Sequence, residues 1–423
     1  MCTCRLSLLL LLAAASRGGS SSSAGEIGGS HGTPAAGAGG GGRGGAGGVA
    51  GGVAGAAGAD GGGSGAGGVG GGSGADGPGG GRIVRCGDPA DCTSDLQGAV
   101  DSGDDIQLAA GTWTVQPIFL RSSNQTITFG KDVKVVAKRF VAFGVLFTAN
   151  ATANLSIVGG GTHWRMQQAD YVNKSLYNHS EFRCGLAIVG VDGFQISDVT
   201  ISDTGGDGLY VDNYYGARHL GHAHNIEVHR VTTINAFRNG LSIISAKNLL
   251  ISNCSFLNTS GTPPMAGIDL EPDIAYIGPR GSCASWPFTG ICNTLENVSL
   301  VDIIIRQSLG PGIQFAVHNL GAGAPIDVRF NRVIVQGAAL DGVNASAIEP
   351  AGNMGMGLMI SGVQTNGTVG RVSFTSLSVF DTAQPGLMVE DKVPAPGTEF
   401  AFDACHFSRV ARASQLCWGG ASP

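Results

Sequence analysis

From residue 185 to residue 386 a glycine recurs in one local setting, and this recurrence constrains the fold more than any other feature of the chain. The segments "ISDVTISDTGGDGLYVD" (196 to 212), "ISNCSFLNTSGTPPMAGIDLEPD" (251 to 273), "LVDIIIRQSLGPGIQFAV" (300 to 317) and "FTSLSVFDTAQPGLMVE" (374 to 390) share one pattern. Each has a short alternating apolar run, a small or polar turn, and then Gly followed by apolar, any residue, apolar. The glycines are Gly185, Gly208, Gly240, Gly267, Gly312, Gly357 and Gly386, spaced by 23, 32, 27, 45, 45 and 29 residues. A minimum near 23 with a variable excess describes a coil of fixed size interrupted by loops of different length. Alternation within each segment has period two, and no segment sustains a helical period. The expected fold is all-β, a solenoid of stacked strands whose loops carry the binding face.

Together with the opening segment "DLQGAVDSGDDIQLAAGTWTVQPIFLRSSNQTITF" (95 to 129), these repeats resemble the pectate-lyase-like superfamily, over essentially all of residues 84 to 416. The resemblance implies a single-stranded right-handed parallel β-helix with a short N-terminal helix as cap. An uncovered first coil would expose apolar surface and unpaired strand edges. The superfamily hosts hydrolases, lyases, epimerases, adhesins and phage spikes, so membership does not fix the chemistry. Its polygalacturonases would carry paired aspartates before a strand and a His-Gly pair one coil on. Here a single Asp207 stands in "GGDGLY", and "FRNGLSII" follows. Its lyases would use a basic residue as base, often with calcium beside a uronate, and no Lys stands at the matching positions. No enzyme family's catalytic set transfers residue by residue.

The chain divides into three parts. Residues 1 to 15 of "MCTCRLSLLLLLAAASRGGS" combine Arg5, an apolar run too short to span a bilayer and a small-residue exit, the pattern of a signal peptide. Residues 16 to 81 are Gly, Ala and Ser with almost no large apolar residue, which predicts a disordered tether. Residues 82 to 423 form the β-helix domain. With a net charge of -6 and no Lys/Arg stripe, neither nucleic-acid binding nor membrane insertion is expected. Export would allow disulfides, with Cys283–Cys292 the first expected pair and Cys86–Cys92 the second, while Cys254 and Cys405 take inward positions as thiols. Sequons at Asn124, Asn150, Asn154, Asn173, Asn178, Asn297, Asn344 and Asn366 are consistent with a secreted glycoprotein.

Aligning the coils on the repeated glycine turns sequence into geometry. Residues one and three after Gly point inward, as Leu209 and Val211, Leu241 and Ile243, Ile268 and Leu270, and Ile313 and Phe315. Residues two and four then point outward, giving one column of Tyr210, Ser242, Asp269 and Gln314 and another of Asp212, Ile244, Glu271 and Ala316. Asp207, Asn239 and Arg238 stand just before the glycines. In "GIDLEPD", Asp269 and Glu271 share a face, an arrangement a purely structural strand avoids because like charges repel. Crowded acids raise one another's pKa, so the pair is the expected catalytic acid and base or nucleophile, with Asp207 and Asp212 tuning it. Structural readings remain open: Asp207 and Asn239 suit Asx turns, and Glu271 would pair with Arg238 or Arg280.

Tyr210, Asn239, Arg238, Ser242 and Gln314 are the expected substrate contacts. The insertion "THWRMQQADYVNKSLYNHSEFR" (162 to 183) would add Trp164, Arg165 and Tyr171 as walls, since aromatic faces and guanidinium forks suit sugar rings. A second insertion, "DNYYGARHLGHAHN" (212 to 225), has histidines without rigid zinc spacing. No metal or cofactor is expected; calcium alone would suit the outward acids, although no Asp-rich ligand loop is present. The expected function is a secreted glycoside hydrolase acting on an extracellular polysaccharide. The alternatives are a lyase or epimerase acting on a uronate polymer, and a non-catalytic extracellular carbohydrate-binding or structural module.

Overall fold

The computed structural model describes residues 81–139, 144–216, 219–221, 223–272, 293–317, 320, 325–338, 355–361, 369–389 and 398–410, side chains of 214–221 excepted. The expected leader and residues 16 to 80 of the expected tether lie outside these residues, as do Cys283, Cys292, Arg280 and the sequons at Asn344 and Asn366. Among the described residues there is no helix long and apolar enough to cross a membrane.

The chain forms an all-β parallel helix. One 15-stranded sheet and one nine-stranded sheet are built by strands that pair in parallel with the equivalent strands of the next coil. The nine-stranded sheet carries the candidate site and includes the strands Leu186–Val189, Leu209–Asp212, Leu241–Ile243, Ile268–Leu270, Ile313–Ala316 and Leu358–Ser361. In the other sheet long strands such as Asp192–Ser202 and His224–Ile234 turn a corner at one residue with left-handed backbone, Asp198 at φ 59° and Arg230 at φ 49°. The two corner residues form a bidentate ion pair, Nε–Oδ1 2.5 Å and Nη2–Oδ2 2.7 Å. The inward column holds as expected: Leu209, Val211, Leu241, Ile243, Ile268, Leu270, Ile313 and Phe315 are all buried.

Helix α1 (Thr93–Asp101) packs Leu96, Ala99 and Val100 against the first coil, and Cys86 is bonded to Cys92 at its start. Cys254 is a buried free thiol whose Sγ accepts from Val231 N at 3.4 Å, in the inward column of Val199 and Val231. Cys405 is free but only half-buried, because its coil is the last one described.

The periodic glycine has a direct steric cause. Built onto Gly185, Gly208, Gly240, Gly267, Gly312 or Gly357, a Cβ would lie between 2.4 and 2.8 Å from the carbonyl oxygen of the next glycine in the series. Coils stacked at about 4.8 Å therefore leave room only for hydrogen at this corner. At Gly240 the added carbon would also meet Phe256 Cβ at 2.7 Å. Gly240→Ala is expected to cost about 3 kcal/mol, read as a lowered urea midpoint, because backbone and core are pushed together. An unchanged midpoint would contradict the stack.

An asparagine ladder supports another corner. Asn297 Nδ2 donates to Asn248 Oδ1 at 2.9 Å, Asn248 Nδ2 to Asn225 Oδ1 at 3.0 Å, and Asn225 Nδ2 to Asp192 Oδ1 at 2.8 Å. Each of the three asparagines is left-handed, with φ between 53° and 57°. Two sequons, Asn154 and Asn297, use their amide nitrogen in such ladders, so a glycan on either would compete with the inter-coil bond. Asn248→Ala is expected to lose about 1–2 kcal/mol, from two exposed hydrogen bonds and the backbone strain of Ala. Asn248→Gly should restore the backbone part, which a melting comparison of the two variants resolves.

Candidate active site

The pairing register brings the expected column together: Tyr210 pairs with Ser242, Ser242 with Asp269, and Asp269 with Gln314. The column faces away from the core, yet it is not open. Ser242 and Asp269 are 0% exposed, while Tyr210 and Glu271 are half-buried. The residues before each glycine supply much of the cover.

Asn239 is fixed by its neighbours. Its backbone N–H donates to Asp207 Oδ1 at 3.0 Å and its Oδ1 accepts from Ala266 N at 2.9 Å. That leaves Nδ2 to donate to Ser242 Oγ and to Asp269 Oδ2, both at 3.0 Å. Arg238 is the hub of the charges, lying 3.1 Å from Asp207, 3.5 Å from Glu181 and 3.8 Å from Glu271, with its side chain 14% exposed. Among the expected substrate contacts, Arg238 and Asn239 bond the carboxyls of Asp207 and Asp269, and Ser242 Oγ accepts from Asn239 Nδ2. Among the described residues no N–H or O–H donor reaches Asp269 Oδ1, although this atom is buried.

The electrostatics follow from burial and crowding. Burial pushes the Asp269 carboxyl well above the ordinary carboxylate range, and repulsion from Glu271 and Asp207 adds to this against the opposing pull of Arg238. The contact with Glu271 further favours the protonated form of Asp269, so the two carboxyls titrate as a coupled pair. Burial also raises Asp207, opposed by Arg238 and by the Asn239 N–H. Burial alone would lower the Arg238 pKa, but Asp207, Asp269, Glu181 and Glu271 together raise it.

Asp212 lies two coils from Glu271 in the second column. Its Oδ2 accepts from the Tyr210 hydroxyl at 3.0 Å and its Oδ1 from Asn213 N at 2.7 Å. Asn213 anchors the second insertion by donating to Ser245 Oγ at 2.8 Å and accepting from Ala223 N at 3.0 Å.

The first insertion is placed differently from expectation. Trp164, the last residue but one of the strand Ala153–Arg165, lies inside the core with its ring centroid 4.3 Å from that of Phe147, so it is no sugar platform. Arg165 lies on the 15-stranded sheet and pairs with Asp203 at 3.0 Å. Tyr171 is buried in the single-turn helix α2 (Gln168–Tyr171), edge-on to Tyr177 and beneath the Arg183 guanidinium. The insertion does contribute one acid that sequence reasoning missed, Glu181. The signal was the double glycine of "GGDGLY": a Cβ at Gly206 would lie 2.0 Å from the Glu181 carbonyl, so the pair admits a crossing segment.

No protein-family model matches the chain, and no curated protein does. Solved structures do. A galactohydrolase acting on a sulfated galactose and anhydrogalactose polymer is 14% identical with a TM-score of 0.52, over 78% of this chain and 87% of its own. An iota-carrageenase from A. fortis is 14% identical with a TM-score of 0.53, over 79% and 87%. A surface adhesin of Streptococcus pneumoniae is 11% identical with a TM-score of 0.49, over 78% and 91%. The chain shares the parallel β-helix fold of these structures. Identities this low establish the fold and leave the chemistry to the site.

Proposed function

We propose that this protein is a secreted glycoside hydrolase that cleaves a polysaccharide with the Asp269–Glu271 pair. The observation that carries the reading is a buried carboxyl without a donor for Oδ1, placed beside a second carboxyl whose side chain is 29% exposed. Glu271 meets the glycosidic oxygen and passes to it the one proton that Asp269 holds behind it, which leaves both carboxyls ionised until water restores that proton. The C–O bond to the leaving sugar breaks, water adds hydroxide to the anomeric carbon, and the proton of that water returns to the pair. Arg238 keeps Glu271 in position, Asp207 keeps Arg238 in position, and Tyr210 and Gln314 border the sugar. The galactohydrolase and carrageenase names of two structural neighbours fit a carbohydrate substrate, helix α1 closes the first coil, and residues 1 to 15 direct export.

The test is the full chain screened on a polysaccharide panel with reducing-end and ultraviolet readouts together. Reducing ends without a new absorbance are expected, and absorbance from a new double bond would make the protein a lyase. Complete burial of Asp269 favours one second reading, a non-catalytic carbohydrate-binding module. That module would bind a polysaccharide, release no ends and bind equally well as Asp269→Asn.

A further inference from the structure

We infer, building on the hydrolytic reading, that Glu181 of the first insertion is the base that takes a proton from the attacking water. Its place is fixed from both sides. His179 Nε2 lies 2.9 Å from Thr262 Oγ1, which ties the insertion to the segment before Gly267. On the other side the Arg183 carbonyl accepts from Gly205 N at 3.1 Å, and the Glu181 carbonyl crosses so close to Gly206 that no Cβ fits there. Between these anchors Glu181 Oε2 reaches Arg238 Nε at 3.5 Å, while Glu271 Oε2 lies 3.8 Å from Nη2 of the same guanidinium. The two nitrogens are about 2.3 Å apart in the planar fork, so the two oxygens lie at most about 10 Å apart. A proton donor and a base that hold an anomeric carbon and one water between them need about 6.5–9.5 Å, which fits inside that limit.

Burial and hydrogen bonding separate Glu181 from the other acids. The Asp207 side chain is 2% exposed, and its oxygens take the Arg238 Nη1 and Asn239 N–H donors. Asp212 is buried and accepts from the Tyr210 hydroxyl and from Asn213 N. The buried Asp269 Oδ1, reached by no N–H or O–H donor, marks the Glu271 side as the one that stores the proton and leaves the opposite role to Glu181. The Glu181 side chain is 43% exposed against 29% for Glu271, so water reaches it without passing the buried acids. In the step, the water oxygen bonds to the anomeric carbon as one of its protons moves to Glu181. The C–O bond to the leaving sugar breaks, and its electron pair stays on the oxygen that takes the proton from Glu271. Solvent then carries the proton from Glu181 back to the pair, which restores the starting state. Because Arg238 touches both acids, it holds donor and base at one spacing.

The full chain is tested on polygalacturonate, carrageenan, xylan, mannan and β-glucan, and variants are compared on the polymer that the natural protein cleaves. Glu181→Gln and Glu181→Ala are expected to lose about 10²–10⁴-fold in kcat, with KM within about threefold and the melting temperature nearly unchanged. Sodium azide supplies an anion that attacks the anomeric carbon without help from a base. It should restore Glu181→Ala at least about tenfold, with a glycosyl azide seen by mass spectrometry, and should leave Glu271→Gln inactive. Turnover by Glu181→Gln within about threefold of the natural protein overturns the base role, and the hydrolytic reading stands if Asp269→Asn is still inactive. A loss in Glu181→Ala that azide does not relieve makes Glu181 a positioning residue acting through Arg238 and overturns the inference. No cleavage of any polymer by the natural protein removes the hydrolytic reading and the base role together.

Discussion

Asp269→Asn is expected to melt higher than the natural protein at pH 7 and to lose about 10²–10⁴-fold in reducing-end release. The folded Asp269 pKa lies above its unfolded value, burial being the main cause and Glu271 repulsion the next. Between the unfolded carboxylate range near 4 and the raised folded value, the unfolded chain has released a proton that the folded chain retains, so stability falls as pH rises through this window. Asn removes that loss and preserves the bond from Asn239 Nδ2, because its amide oxygen takes the place of Oδ2. The stability gain, about 1–3 kcal/mol, should be present at pH 7 and should vanish near pH 4. Glu271→Gln should show the same loss of activity. A drop in melting temperature in both variants would mean that the acids serve structure.

Arg238→Met has the largest expected effect on stability, about 3–5 kcal/mol at pH 7, because it leaves Asp207 and Asp269 buried without their counter-charge. Arg238 lowers both acids, so its removal raises both folded pKa values further and widens the window in which ionisation opposes folding. The deficit should therefore shrink on acidification toward pH 4, where both states hold their protons. Urea midpoints from pH 4 to pH 8 measure it. A deficit independent of pH would show that Arg238 acts through packing alone.

The solenoid was legible because its two rules are local. A glycine is required wherever stacked corners leave no room for a Cβ, and alternation sorts Leu209 and Val211 inward from Tyr210 and Asp212. The same rules put Asp269 and Glu271 on one face. What they did not reveal was cover. Nothing within "GIDLEPD" says that Asn239, from the preceding coil, reaches over to Asp269, or that Arg238 gathers acids from three other segments. Trp164 was misread for a different reason. The run "VGGGTHW" has the look of a turn, but Gly160 and Gly161, at φ 60° and 88°, bend a strand that continues to Arg165. The tryptophan therefore lands in the core. Glu181 needed a long-range approach that the glycines before Asp207 permit without specifying.

Side-chain carboxyl NMR titration of the ¹³C-labelled full chain tests, without any substrate, whether burial and Glu271 hold a proton at Asp269. The natural protein should show one carboxyl, assigned by its absence in Asp269→Asn, that titrates well above the ordinary Asp value near 4 and moves downward in Glu271→Gln. An Asp269 carboxyl that titrates at or below about 4, unmoved by Glu271→Gln, would contradict the proton-sharing pair and the hydrolytic chemistry built on it.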